Sequence, residues 1–122
     1  MKAFQEGFLT ANAIQIHFYR YQPADSANHT LIFLHSVTDN GLCWQRLAQA
    51  LPDNYEMVLM DARGHGLSDG PVQGYSTEDR ADDVAGVIQA LKLEHPILIG
   101  DSMGAETAIA TAAVYPHLVR AV

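Results

Sequence analysis

Cysteine, internal repeats and long apolar runs are what this sequence lacks. Its one cysteine, Cys43, cannot form an intrachain disulfide, and we expect it to be a small buried apolar residue. No apolar run is long enough to cross a membrane, and the N-terminus lacks the basic-then-apolar layout of a signal peptide. These absences predict a soluble, cytoplasmic protein with no membrane partner.

Basic residues are also scarce. Seven lysines and arginines stand against fourteen aspartates and glutamates, which gives a net charge of −7. Because phosphate binding needs a basic surface, this balance argues against a nucleic-acid partner. The histidines lack the spacing of metal ligands. After Gly64 and Gly66, Asp69 occupies the position where a dinucleotide-binding Gly-x-Gly-x-x-Gly motif needs its third glycine.

What is present is an alternation of strand-like and helix-like segments. Five segments have the composition of strands: 4–9, 14–21, 30–34, 55–60 and 96–99. Three carry apolar or small residues at helical spacing: 44–51, 84–91 and 105–113. Ser76 and Asp79 form a predicted capping box before the second helix. Strands that alternate with helices predict an α/β fold with a mostly parallel sheet flanked by helices.

The most informative stretch is Gly100-x-Ser102-x-Gly104, which lies between an apolar strand and an alanine-rich helix. In this context the motif predicts a nucleophile elbow, a tight strand-to-helix turn that projects Ser102 out of the sheet. The two glycines leave room for the backbone to double back. The helix that begins at Met103 directs free N–H groups and a partial positive charge to the same place, which suits a developing oxyanion. Ser102 is therefore the predicted nucleophile.

Two further polar residues, His35 and Asp61, follow directly on predicted strands, as Ser102 does. Because reacting groups gather at the carboxyl ends of parallel strands, we expect all three along one edge of the sheet.

Three motifs in this order resemble the α/β-hydrolase family. They are His35-Ser36-Val37 after one strand, Asp61-x-Arg63-Gly64-x-Gly66-x-Ser68-Asp69 after the next, and Gly100-x-Ser102-x-Gly104 after the third. The similarity runs through essentially the whole chain. It implies that Ser102 is a catalytic nucleophile and that the backbone N–H groups of Val37 and Met103 form its oxyanion hole. It also implies chemistry without a cofactor or a metal.

The sequence departs from the family pattern at two positions close to this site. Ser36 stands where the family usually has glycine, a change that bears on the tilt of the first oxyanion loop. Asp101 stands where histidine or another bulky residue is common. A carboxylate beside the nucleophile opposes oxyanion formation unless it points away or is paired. Because only the central residue of the motif lies at the turn, Asp101 itself is not the expected nucleophile.

The resemblance further implies that the chain corresponds to the N-terminal half of the fold. In the family the triad runs Ser, then Asp or Glu, then His, and both partners of Ser102 would follow Val122. We therefore expect residues 1–122 to form a single, incomplete α/β-hydrolase domain. Only Leu118–Val122 would remain to cover the flank of the strand at Ile97–Ile99, so we predict that a second copy or a complementary half-chain covers this edge.

The identity of the base therefore stays open. His35 is expected to order the oxyanion loop, but it is also the best placed of the six histidines to act as a base, with Asp39 or Asp61 to orient it. A serine hydroxyl without a base is a poor nucleophile at neutral pH.

The remaining polar residues have structural interpretations. One group is expected to stabilise its own loop through hydrogen bonds: Asp61, Arg63, His65 and Asp69. Four histidines are expected to be solvated: His17, His29, His95 and His117. Trp44 is expected to pack in the core.

Two functions are compatible with these features. The first is an esterase-like serine hydrolase that acts on an ester or another small acyl substrate. Ser102 would attack the acyl carbon, the Val37 and Met103 amides would hold the tetrahedral intermediate, and water would hydrolyse the acyl-enzyme. The second is a non-catalytic, self-associating unit that keeps the hydrolase elbow without its machinery.

Overall fold

A five-stranded sheet runs through the middle of the molecule. The computed structural model describes all residues, 1–122. In chain order the strands are β1 (Gln5–Ala11), β2 (Ile14–Tyr21), β3 (Thr30–Leu34), β4 (Glu56–Met60) and β5 (Ile97–Gly100). Across the sheet they lie in the order β1-β2-β4-β3-β5.

The sheet is mixed, and its parallel part carries the three motifs. Strand β3 pairs in parallel with β4 on one side and with β5 on the other. The antiparallel pairings involve the N-terminal hairpin, in which β1 pairs with β2 and β2 with β4. The predicted α/β fold class is confirmed. In the parallel register Leu34 lies opposite both Met60 and Gly100, so His35, Asp61 and the elbow follow neighbouring strand ends along one edge, as expected.

Helices cover both faces of the sheet. A 3-10 helix (Gly41–Trp44) leads into α1 (Gln45–Ala50), α2 (Thr77–Ala90) lies between β4 and β5, and α3 (Met103–Val114) follows β5. The larger core packs against α2 and α3 and takes one set of alternating strand residues: Ile32, Leu34, Val58 and Met60. The smaller core packs against α1 and takes the other set: Leu31, Phe33, Met57 and Leu59. Both faces of β3 and β4 are therefore buried.

The helix signals in the sequence match the observed helix ends closely. The predicted capping box is confirmed, because Ser76 Oγ accepts from Asp79 N at 3.0 Å while Asp79 Oδ2 accepts from Ser76 N at 3.1 Å. The hydrogen bonds that the Asp79 carboxylate accepts from Ser76, first from its Oγ at 2.8 Å and then from its backbone N–H, lower the pKa of Asp79. Trp44 ends the 3-10 helix instead of beginning α1, and it packs on Phe33 with ring centroids 5.4 Å apart, as the core interpretation requires. None of the helices combines the length and apolar character that crossing a bilayer requires.

Two expectations about the chain need correction or refinement. Cys43, in the short 3-10 helix, is exposed rather than buried. Partial burial, with the nearby carboxylates of Asp39 and Asp101, still raises the pKa of its thiol. Residues 118–122 make one parallel bridge, between Ile97 and Ala121, and no full strand.

Candidate active site at the strand ends

Ser102 occupies a strained turn between β5 and α3. Its backbone has φ 53° and ψ −113°, in a region that side-chain-bearing residues rarely adopt, and the residue is exposed. A Cβ on Gly100 would collide with the backbone of Gly104, and a Cβ on Gly104 would collide with the carbonyl of Leu34. The predicted strand-to-helix turn is therefore present, and its two glycines are required by the close approach of backbone on both sides.

The first turn of α3 lies against the end of β3. Asp101 N donates to Leu34 O at 3.2 Å, and a Cβ on Gly104 would lie 2.9 Å from His35 O. This contact brings the start of α3 beside the loop that contains Val37. Among the hydrogen bonds of loops and caps, the N–H groups of Val37 and Met103 donate to no protein acceptor. Both groups therefore remain available to a ligand.

His35 is buried and both of its ring nitrogens contact backbone. Nδ1 lies 2.7 Å from Ser36 O and must donate, since that oxygen can only accept. Nε2 accepts from Ala62 N at 2.9 Å, so the ring is neutral and its tautomer is determined. Burial is the largest cause that lowers the pKa of His35, and the charge of His65 adds to it. This geometry supports the loop-ordering interpretation and argues against the base hypothesis, because neither nitrogen is free to accept a proton from Ser102.

The hydrogen bond from His35 also orients the Val37 amide. Ser36 O and Val37 N belong to the same peptide group, which is planar and trans, so its C=O and N–H point in opposite directions. With Ser36 O directed at the His35 ring, the Val37 N–H is directed away from it.

Asp61 is buried, and both oxygens of its carboxylate accept hydrogen bonds from the protein. Its Oδ1 accepts from Gly41 N at 2.7 Å, and its Oδ2 accepts from Leu67 N at 3.0 Å. Oδ2 also pairs with His17 Nδ1 at 2.8 Å, while His17 Nε2 lies 3.0 Å from Glu6 Oε1. Asp61 therefore does not orient His35 through its carboxylate, which corrects that alternative.

The prediction that His17 is solvated is wrong. Its side chain is only 1% exposed, because Phe8 of β1 and Tyr19 of β2 cover it with ring centroids 4.9 Å and 4.8 Å away. Sequence reasoning missed this residue because it lies on the polar side of an alternating strand. The only available signal was the need of Asp61, directly after a buried strand, for a positive partner.

The loop from Asp61 to Gly70 is stabilised by the hydrogen bonds expected of its polar residues. Arg63 forms a bidentate pair with Asp83 of α2, at 2.6 Å and 2.8 Å, and also donates to Gly74 O. Asp69 Oδ2 accepts from Gln15 N at 2.8 Å. The hydrogen bond with Asp83 is the largest cause that raises the pKa of Arg63. These contacts join the loop to β2 and to α2.

A small cavity of about 20 Å³ lies behind the elbow, between α2, α3 and the ends of β3 and β4. Met103, Gly104 and His35 contribute to its wall, but Ser102 does not. The Ser102 side chain is thus on the solvent side of the turn, and this cavity does not bring a bound molecule to it.

Comparison with known proteins agrees with this geometry. The family profile described as alpha/beta hydrolase fold matches residues 29–122. The chain belongs to this family. The 2-(acetamidomethylene)succinate hydrolase of Mesorhizobium japonicum is 45% identical over 92 residues, which are 75% of this chain and 33% of that protein. The N-formylmaleamate deformylase of Pseudomonas putida is 36% identical over 108 residues, 88% of this chain and 39% of that protein.

The structural comparison gives the same family. The crystal structure of E-2-(acetamidomethylene)succinate hydrolase superposes with a TM-score of 0.86 and 36% identity, covering 97% of this chain and 42% of that structure. This α/β-hydrolase chain thus spans between 33% and 39% of the length of the two curated relatives named above. The residues that the family profile matches contain β3, β4, β5, the elbow and the loop that follows β3.

Proposed function

We propose that this chain carries the nucleophile and oxyanion-hole part of a serine hydrolase that cleaves a small acyl substrate. The observation that carries the proposal is the exposed Ser102, at φ 53° between two glycines that the backbone requires. The names of two relatives describe small carboxylates that bear an N-acyl group, so the proposed substrates include N-acyl amides as well as esters.

In the proposed reaction Ser102 Oγ attacks the acyl carbon, and its proton passes to a base. The oxygen of the tetrahedral intermediate accepts hydrogen bonds from the N–H groups of Val37 and Met103, which have no acceptor in the loop and cap hydrogen bonds. Collapse expels the leaving group and leaves an acyl-enzyme, and water then attacks to release the acid and restore Ser102. No step in this sequence needs a cofactor.

The base and its acidic partner form a separate part of the proposal. The family order is Ser, then Asp or Glu, then His, so both groups follow Ser102 in the complete catalytic unit. We propose that they come from a complementary polypeptide segment that covers the free edge of β5. That edge has one bridge, at Ile97 and Ala121, and exposed apolar side chains lie near it, with Ile109 63% and Val122 62% exposed.

The test of the nucleophile is hydrolysis of p-nitrophenyl acetate together with labelling by a fluorophosphonate. We expect Ser102→Ala to abolish both, and Ser26→Ala, which removes the hydroxyl of an exposed loop serine, to keep both. Activity that persists in Ser102→Ala would contradict the proposal and indicate surface histidine chemistry.

The alternative function is a non-catalytic unit that associates through the β5 edge. This alternative predicts that the fluorophosphonate labels Ser102 under no condition. It also predicts that the chain associates through the β5 edge. Light scattering on the isolated chain tests the association directly: a dimer supports a second copy, and a stable monomer at high concentration contradicts it. An Ile109→Lys variant should weaken the dimer, because it introduces a charge into the exposed apolar surface.

A further inference from the structure

His65 connects the loop after β4 to the loop after β3. Its Nδ1 lies 2.9 Å from Arg63 O, in its own loop, and its Nε2 lies 2.8 Å from Val37 O, in the other loop. The ring also packs edge-on against His35, with centroids 5.1 Å apart. The carbonyl that His65 Nε2 contacts belongs to Val37, and the N–H of Val37 is one of the two proposed oxyanion donors.

The two hydrogen bonds of His65 require two protons. Both partners are backbone carbonyl oxygens, which only accept, so each ring nitrogen must donate. A neutral imidazole has one N–H and can hold only one of these carbonyls. The ring that makes both bonds is therefore the imidazolium. His35 beside it has the opposite pattern, one donor and one acceptor, and is neutral.

Backbone hydrogen bonds, rather than side-chain packing, hold Val37. Its side chain is 60% exposed and contributes no core contact that could hold the loop. His35 holds the peptide group before Val37, through Ser36 O, and His65 holds the peptide group after it, through Val37 O. With the carbonyls on both sides anchored, the backbone of Val37 has little freedom to rotate, and its N–H keeps one direction.

We propose that His65, as an imidazolium, is a positioning residue that fixes Val37 and so directs the Val37 N–H at the oxyanion. The catalytic effect of this positioning rests on the proposed function above. The hydrogen bonds of His65 do not depend on that function, and they can be measured without enzymatic turnover.

The first measurement counts ring N–H protons in the whole chain, labelled with ¹⁵N, at mildly acidic pH. Only protons protected by hydrogen bonds exchange slowly enough to be observed. We expect two for His65, one for His35 and none for the exposed His117, which serves as the internal control. One or no proton on His65, with the single proton of His35 still present, would overturn the proposal.

The second measurement is amide hydrogen exchange in His65→Phe, which keeps a ring but has no donor. Asp39 N donates to Ser36 O at 3.2 Å and reports on the loop. We expect its exchange to accelerate about tenfold, the effect of losing one hydrogen bond, while that of Leu34 in β3 is unchanged. The matched control His117→Phe should alter neither. An unchanged exchange rate of the Asp39 amide in His65→Phe would contradict the proposal that His65 holds the loop after β3.

A third measurement separates this role from the proposed function. Where Ser102 reacts with the fluorophosphonate, His65→Phe should slow the bond-forming step about tenfold and leave binding of the reagent unchanged. A loosened loop with an unchanged labelling rate would overturn the positioning role. A chain in which Ser102 never reacts would contradict the proposed function and leave the first two measurements decisive for His65. If His65→Phe does not fold, His65→Gln and the proton count on the unaltered chain serve instead.

Discussion

At the scale of single residues, Gly104 shows what the elbow demands of the backbone. It lies in the first turn of α3, and in the interior of a helix alanine is better than glycine by about 1 kcal/mol. Here a Cβ would collide with the carbonyl of Leu34 and approach His35 O, and both belong to a buried strand end that cannot give way. Helix propensity therefore predicts that Gly104→Ala raises the free energy of unfolding, whereas packing predicts that it lowers it.

We expect Gly104→Ala to destabilise the protein by about 3 kcal/mol, at the upper end of overpacking effects. The measurement is urea unfolding. The matched control is Gly70→Ala, whose Cβ would meet its nearest atom at 3.6 Å, an ordinary contact. A Gly104→Ala variant as stable as the control would show that the elbow does not pack on β3 as described.

His17 provides a second prediction at this scale. Its Nδ1 pairs with the buried Asp61 carboxylate at 2.8 Å, and both side chains are 1% exposed. His17→Ala should destabilise the protein by about 3–5 kcal/mol, because it removes one partner of a buried pair and leaves the other partner buried. His29→Ala, at a less buried histidine with no such partner, should change the free energy of unfolding by less than about 0.5 kcal/mol. Equal effects of the two variants would contradict the pairing.

At the scale of elements, the start of α2 depends on its capping box. Ser76 and Asp79 satisfy each other's backbone N–H groups at the end of a long glycine-containing loop. Because α2 packs beside α3 on the same face of the sheet, its first turn also positions Arg80, which donates to Thr107 of α3 at 3.0 Å.

Ser76→Ala should cost about 1 kcal/mol, the usual effect of losing an N-cap side chain. The change is to be measured as a shift in the urea midpoint with an unaltered slope. Ser26→Ala, in an exposed loop outside any helix, is the control and should leave the midpoint in place. A larger effect at position 26 than at position 76 would argue against the cap.

At the scale of the whole molecule, His35 makes stability depend on pH. Burial, the largest cause, lowers the pKa of His35 below its ordinary value of 6.5. Below that ordinary value the unfolded chain binds a proton that the native protein does not, so the free energy of unfolding falls as the pH falls towards the native pKa. At pH values above the ordinary pKa of 6.5, His35 is neutral in both states and its contribution to the free energy of unfolding is complete.

We expect the decline in stability from about pH 7 to about pH 5 to be smaller in His35→Gln than in the unaltered chain, because the titrating group is absent. Urea unfolding across this range measures it. His117→Gln removes an exposed histidine and should leave the decline as it was. An identical decline in all three proteins would mean that His35 does not contribute to it.

The sequence alone was sufficient to predict the strands and helices of the sheet and the elbow at Ser102. Strand alternation, the capping box of Ser76 and the two glycines around Ser102 are local signals, since each depends on residues a few positions apart. The placement of His35, Asp61 and the elbow along one edge also followed, because parallel strands bring their carboxyl ends together.

Only the tertiary structure decided which polar groups meet. His17 and Asp61 are 44 positions apart, and His65 and Val37 are 28 apart, and neither pair leaves a trace in local spacing. The same holds for His35, whose tautomer depends on Ala62 N from another strand end. Burial and hydrogen-bond partners are properties of the packed sheet, so the charge state and the role of each histidine became defined only when the chain was folded.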